Sequence, residues 1–160
     1  MRVLPKDPGL RLIVYSDGAA RGNPGPAGIG AVVRTPSGRL VAKVGRGIGV
    51  TTNNVAEYRA AIEGLKLARD HGARSVLLRA DSKLLIEQLS DRFRVKNPTL
   101  VRLHEEIRAV LGHFEQVGLE HVPRELNRDA DRLANAGVDE WLAGPGMGYR
   151  PSGPHPGLFD

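Results

Sequence analysis

The hydrophobic period of this chain first changes near residue 52, and that change restricts the fold more than any other feature. Before it, apolar residues alternate. Leu10 to Ser16 places Leu12, Val14 and Ser16 on one face and Ile13 and Tyr15 on the other, which predicts a strand ending at Asp17-Gly18. Ala19 to Pro26 is rich in turn-forming residues. Ile29 to Arg34 and Leu40 to Ile48 read as two further strands, joined by the tight turn Thr35-Pro36-Ser37-Gly38. Short connections between three successive strands predict an antiparallel meander.

After the change the spacing is helical. Thr51 to Asn54 offers N-cap side chains, and Val55 to Arg69 carries apolar residues at Tyr58, Ala61, Ile62, Leu65 and Ala68. Ser75 to Ala80 reads as a buried strand, Ser82 to Leu89 and Thr99 to Phe114 as helices, and Leu119 to Val122 as a fifth strand. Asn127 opens a last helix running to about Trp141, with an apolar stripe of Ala130, Leu133, Ala134, Val138 and Trp141. The order β-β-β-α-β-α-α-β-α predicts an α/β fold, a mixed sheet with helices on both faces. The expected division is a flexible N-terminus over 1–9, a folded domain over 10–142 and a disordered Gly/Pro-rich tail over 143–160.

Composition narrows the possible roles. The chain has no cysteine, which excludes disulfides, thiolate-held zinc and thiol chemistry. No apolar run is long enough for a bilayer, and Met1 to Gly9 lacks the apolar stretch of a signal peptide, so no membrane association and a cytoplasmic location are expected. A net charge of +5 and a pI near 10.0 suit a polyanionic partner, although small basic domains are common.

Four carboxylates fall where stability alone explains them poorly. Asp17 ends the first strand and Asp81 follows the fourth; if those strands are parallel neighbours, both acids project from the carboxyl edge where open α/β sheets bind ligands. On a helical wheel Glu57 flanks the apolar stripe of the first long helix, and Asp131 is similarly offset on the last. Each has an ordinary alternative: a turn start for Asp17, an N-cap for Asp81, favourable dipole placement for Glu57, and pairing with Arg128 or Arg132 for Asp131. Asp129, in the first turn after Asn127, is better explained by the dipole. As a set, four converging carboxylates repel one another and raise their pKa values, a cost that a divalent cation removes. Oxygen-only ligation suits Mg²⁺ or Mn²⁺.

The segments around these acids resemble a known family. Ser16-Asp17-Gly18-Ala19-Ala20-Arg21-Gly22-Asn23-Pro24-Gly25, Thr52-Asn53-Asn54-Val55-Ala56-Glu57-Tyr58, Ala80-Asp81-Ser82-Lys83 and Asn127-Arg128-Asp129-Ala130-Asp131-Arg132-Leu133-Ala134-Asn135 are similar, in order, to the four motifs of the type I ribonuclease H family. The resemblance covers about residues 10 to 142. It implies a five-stranded mixed sheet with three antiparallel strands first. It also implies endonucleolytic hydrolysis of the RNA strand of RNA–DNA hybrids, leaving 5′-phosphate and 3′-hydroxyl ends. Asp17, Glu57, Asp81 and Asp131 match the family's metal-binding acids, expected to hold two Mg²⁺ or Mn²⁺ ions in the substrate complex. Asn23, Asn53 and Asn54 match minor-groove contacts, and Thr52 matches a contact to a DNA phosphate. Amides can read base edges and the 2′-hydroxyl. Helix capping is the competing explanation for Asn53 and Asn54, and turn geometry competes with substrate approach at Gly22 and Gly25.

Two departures stand out. Many relatives carry a basic, Trp-containing helical protrusion; here Asp91 to Pro98 fills that stretch, with Arg92, Arg94 and Lys96 as the remaining cations. Many also have a loop histidine before the last helix, where this chain has His121-Val122-Pro123-Arg124-Glu125-Leu126. It resembles the short-loop bacterial and archaeal branch. Arg124 is the candidate substitute for that histidine, and His121 is expected in the strand. A monomer is expected. The competing functions are a nuclease of the same fold acting on another nucleic-acid structure, a hybrid-binding module without catalysis, and an interaction protein recruited through the tail.

Overall fold

The computed structural model describes residues 10–144. Most of the expected N-terminal arm and tail lie outside the described residues. Five strands form one sheet: β1 (Arg11–Ala20), β2 (Gly25–Arg34), β3 (Leu40–Thr51), β4 (Ser75–Ala80) and β5 (Gln116–His121), in the order β3-β2-β1-β4-β5. β1 pairs antiparallel with β2 and parallel with β4, so the sheet changes sense beside β1. β3 is antiparallel to β2, and β5 parallel to β4. The helices are α1 (Asn53–Asp70), α2 (Lys83–Leu89), α3 (Pro98–Leu111) and α4 (Arg128–Ala143), with a 3₁₀ turn over Arg124–Leu126.

The meander, the mixed sheet and the element order match the sequence expectation, and several boundaries differ. β1 runs on to Ala20 instead of ending at Asp17-Gly18, because Gly18, Ala19 and Ala20 stay paired with Ile29, Gly28 and Ala27. These small residues carry no apolar alternation, so the backbone ladder alone marks them as strand. β2 accordingly begins at Gly25, and β3 reaches Thr51. β5 starts at Gln116, three residues before the expected Leu119, held by its register with Ser75 of β4. α3 stops at Leu111, where Gly112 forms the C-cap, although Phe114 is still buried. α4 extends to Ala143, inside the stretch expected to be tail. Trp141, expected in its buried stripe, is 43% exposed.

Helices cover both faces. On β2, Ala31 faces α1, where Gly64 packs against it and Val14. Its neighbour Gly30 points the opposite way, and a Cβ there would overlap the Ala130 carbonyl and Ala134 amide of α4. The α1 face is an aliphatic core built from Leu12, Val14, Tyr58, Ile62, Leu65, Leu78 and Ile107 among others. Burying each such side chain contributes about 1.5–3 kcal/mol. The Tyr58 hydroxyl is satisfied there by donating to Gln88 Oε1 at 2.7 Å, and burial pushes this phenol up to about 12. Among the described residues no helix is long and apolar enough to cross a membrane.

Candidate active site

The site lies where β1 and β4 run side by side. Asp17 sits directly opposite Gly30 across the β1–β2 pair, and so on the α4 face. Asp81 follows Ala80, which pairs with Ser16, so both acids stand at one edge as their strands suggested. Ser82, and not Asp81, caps α2, its hydroxyl accepting from Leu85 N–H at 3.2 Å. That leaves the Asp81 carboxylate free of the capping role. Glu57, one turn into α1, is buried and accepts from Gly18 N–H at 3.0 Å. Gly18 permits this approach, since a Cβ there would overlap the Ala56–Glu57 peptide.

Carboxylate oxygens of Asp17, Glu57 and Asp81 lie within 4.8 Å of one another. Asp131 adjoins this group from α4, close enough to help raise the pKa of both Asp17 and Glu57. Its position is braced by Asn135, whose Nδ2 donates to Asp131 O at 3.0 Å and Oδ1 at 3.2 Å. Asn135 is in turn a partner of Arg21, which donates to Asn135 Oδ1 at 3.3 Å and pairs with Asp139 at 2.7 Å. Asp131 makes no pair with Arg128 or Arg132. Arg132 pairs instead with Asp129, which also receives Arg34 at 2.7 Å, so Asp129 is an ion-pair residue as well as a first-turn acid.

The electrostatics are those of acids crowded out of water. Burial, followed by the charges of Glu57, Asp81 and Asp131, raises Asp17 from 3.8 to about 9. Burial raises Glu57 to about 8 even though the Gly18 N–H and the Arg124 charge both favour its ionised form. Arg124, on the exposed 3₁₀ turn, is thus within electrostatic reach of Glu57. His121 ends β5 and is exposed. The donor set is oxygen only and under-compensated by protein cations, which fits a hard divalent cation.

The residues matched to substrate contacts cluster beside the acids, at the start of α1. Thr52 is the helix N-cap, its hydroxyl accepting from Val55 N–H at 3.2 Å. Asn53 and Asn54 are half-buried in the first turn, and neither is the cap. Exposed Asn23, in the β1–β2 turn, accepts the Asn53 N–H at 3.0 Å through Oδ1 and so ties two of the candidate reading groups together. The connection from Leu89 to Pro98 contains no helix, and Phe93 is exposed within it. No sequence pattern marks Gly18 or Asn135 as supports of the acids, because their contacts are to residues far off in the chain or on the next helical turn.

Sheet order, helix placement and a carboxylate cluster beside parallel central strands define a ribonuclease H-like fold carrying a candidate metal site. The reverse transcriptase-like family model matches residues 15–137. Over 131 residues the chain is 45% identical to the bifunctional protein Rv2228c of Mycobacterium tuberculosis, a match covering 81% of this chain and 36% of that protein. It is 43% identical over 138 residues to the ribonuclease HI of Halobacterium salinarum, covering 86% and 69% respectively. The crystal structure of LC11-RNase H1 in complex with an RNA/DNA hybrid superposes with a TM-score of 0.78 at 39% identity, covering 82% of this chain and 99% of that one. The chain belongs to the type I ribonuclease H family. It spans about a third of the length of the mycobacterial relative.

Proposed function

We propose that this protein hydrolyses the RNA strand of RNA–DNA hybrids endonucleolytically, with divalent cations, leaving 5′-phosphate and 3′-hydroxyl ends. The observation that carries the reading is the meeting of Asp17, Glu57 and Asp81 within 4.8 Å, with Asp131 alongside. Similarity to the Halobacterium salinarum ribonuclease HI and to LC11-RNase H1, whose structure holds an RNA/DNA hybrid, supports the substrate class. In this scheme Asp17 would hold both of two Mg²⁺ or Mn²⁺ ions, Glu57 and Asp81 one, and Asp131 the other. When bound, the ions supply an ionised water for in-line attack and charge stabilisation for the departing 3′-oxygen.

The chain's own residues orient the substrate. Asn23, Asn53 and Asn54 read the minor groove, where amide groups can both donate and accept and where the 2′-hydroxyl tells RNA from DNA. Thr52 holds a phosphate of the DNA strand. Arg124, exposed and near Glu57, contacts the scissile region and assists release of the 5′-phosphate product. All four acids come from one chain, so the chemistry requires no second copy.

The test is to incubate labelled RNA–DNA hybrid, duplex RNA and duplex DNA with the protein, each with Mg²⁺, with Mn²⁺ and with chelator. Cleavage confined to the RNA of the hybrid, and only with metal, is expected. Equal cutting of duplex RNA, or cutting that survives chelation, overturns the reading.

A further inference from the structure

We propose that Asn127 is a positioning residue for the carboxylate site, holding Asp81 in its ligating orientation and fixing the start of α4 against β1; this rests on the metal-site reading above. Asn127 occupies the N-cap position of α4, where asparagine ordinarily accepts a hydrogen bond from the first helical turn, and that bond is worth about 1 kcal/mol. Here the side chain makes no capping bond. Its Nδ2 turns away from the helix and donates to Ser16 O at 2.9 Å and, at a longer 3.4 Å, to Asp81 Oδ2. Its backbone carbonyl accepts the Asp131 N–H at 3.1 Å. One residue therefore touches Asp81 by its side chain, Asp131 by its main chain, and the residue immediately before Asp17.

The amide orientation follows from chemistry. Reversing it would set Oδ1 against a carbonyl and a carboxylate, two acceptors with no proton to offer. The orientation that serves Ser16 and Asp81 leaves Oδ1 without a partner, in a side chain only 1% exposed. A buried, unpaired acceptor costs about 1–3 kcal/mol. The residue thus forgoes a cap and bears an unsatisfied oxygen, both of which disfavour the arrangement if helix stability is its only purpose. With Oδ2 of Asp81 engaged by Asn127, the carboxylate loses rotational freedom and its rotamer is set before a cation arrives. Partners of this kind, one bond removed from a metal, typically change metal affinity by about 10–100-fold when removed.

Mn²⁺ binding to the full chain, measured by calorimetry without substrate, tests the assignment. Asn127→Ala is expected to weaken binding by about 10–100-fold, and to add little further loss in an Asp81→Ala background, since both act through one carboxylate. Asn127→Ser serves in the same cycle if the alanine variant does not fold. Binding within twofold of the wild type, or an undiminished loss in the Asp81→Ala background, overturns the assignment. Wild-type protein that binds Mn²⁺ but leaves hybrids intact removes the proposed activity while the cycle still decides the role of Asn127. Wild-type protein that binds no Mn²⁺ removes both.

Discussion

The two faces of the sheet are built on opposite principles. The α1 face is filled by large branched side chains, Leu12, Val14, Ile62, Leu65 and Leu78 among them, packed to near-zero exposure. On the other face the sheet is bare where α4 crosses it: Gly28 and Gly30 of β2 and Gly45 and Gly47 of β3 form a channel in which α4 lies backbone against backbone. Gly137 completes the fit from the helix side, since a Cβ there would overlap the main chain at Arg46. Area buried makes the first face the source of stability, while close approach makes the second a device for location. Glu57 comes from the first and Asp131 from the second, so the site needs both.

Asp17, where the contributions of the two faces meet, gives the largest expected effect. Asp17→Asn should lower kcat on a hybrid by about 10³-fold or more, equivalent to about 4 kcal/mol of lost transition-state stabilisation. Near-normal turnover would show that the faces do not converge on chemistry. Without metal the same change should raise Tm, because it removes a repelled, buried acid. The pH dependence has a definite sign. Folded Asp17 and Glu57 hold protons up to about 9 and about 8, whereas their unfolded values lie near 3.8 and 4.5. Between those limits the folded state binds more protons, so stability in chelator should fall as pH rises from about 4 to about 9. Asp17→Asn should flatten that slope in denaturant titrations across pH.

Leu65→Ala comes next. It opens a cavity in the aliphatic face and should cost about 2–5 kcal/mol by urea unfolding, with kcat little changed in the molecules that stay folded. Gly137→Ala should cost about 1–3 kcal/mol through overpacking, partly offset by alanine's helix preference of about 1 kcal/mol. Its larger mark should be on kcat, because α4 carries Asp131. If Gly137→Ala impairs turnover no more than Leu65→Ala does, the division between the faces fails. Thr52→Ala, which removes the α1 cap, should cost about 1 kcal/mol in Tm-derived stability. An additional loss of hybrid affinity would mark the hydroxyl as a phosphate contact as well.

Much of this plan was readable from the residues. The change of period near residue 52 places the meander ahead of the helices, and wheel positions put Glu57 and Asp131 at the edges of apolar stripes. Hydrophobic periodicity says nothing about strands made of small residues, however, so the sequence ends β1 at Asp17-Gly18 where the ladder continues to Ala20. No sequence pattern marks the glycines at 28, 30, 45 and 47 as clearance for a helix, which shows only once β2 and β3 pair beneath α4. Asn127 has the composition of a cap, and only contacts 111 and 46 residues away in sequence reveal a different task. The proximity of Arg124 to Glu57 likewise depends on how the turn after β5 returns to the sheet.

The glycine channel also orders events during synthesis. Every buried residue of the aliphatic cluster lies at or before Phe114, so that layer can consolidate while the ribosome is still translating the rest, as domains generally do from the N-terminus. Asp17, Glu57 and Asp81 are all in hand by then, but the empty channel still awaits α4 and its carboxylate. A nascent chain of this design gains its fourth acid only when α4 has emerged and settled into place.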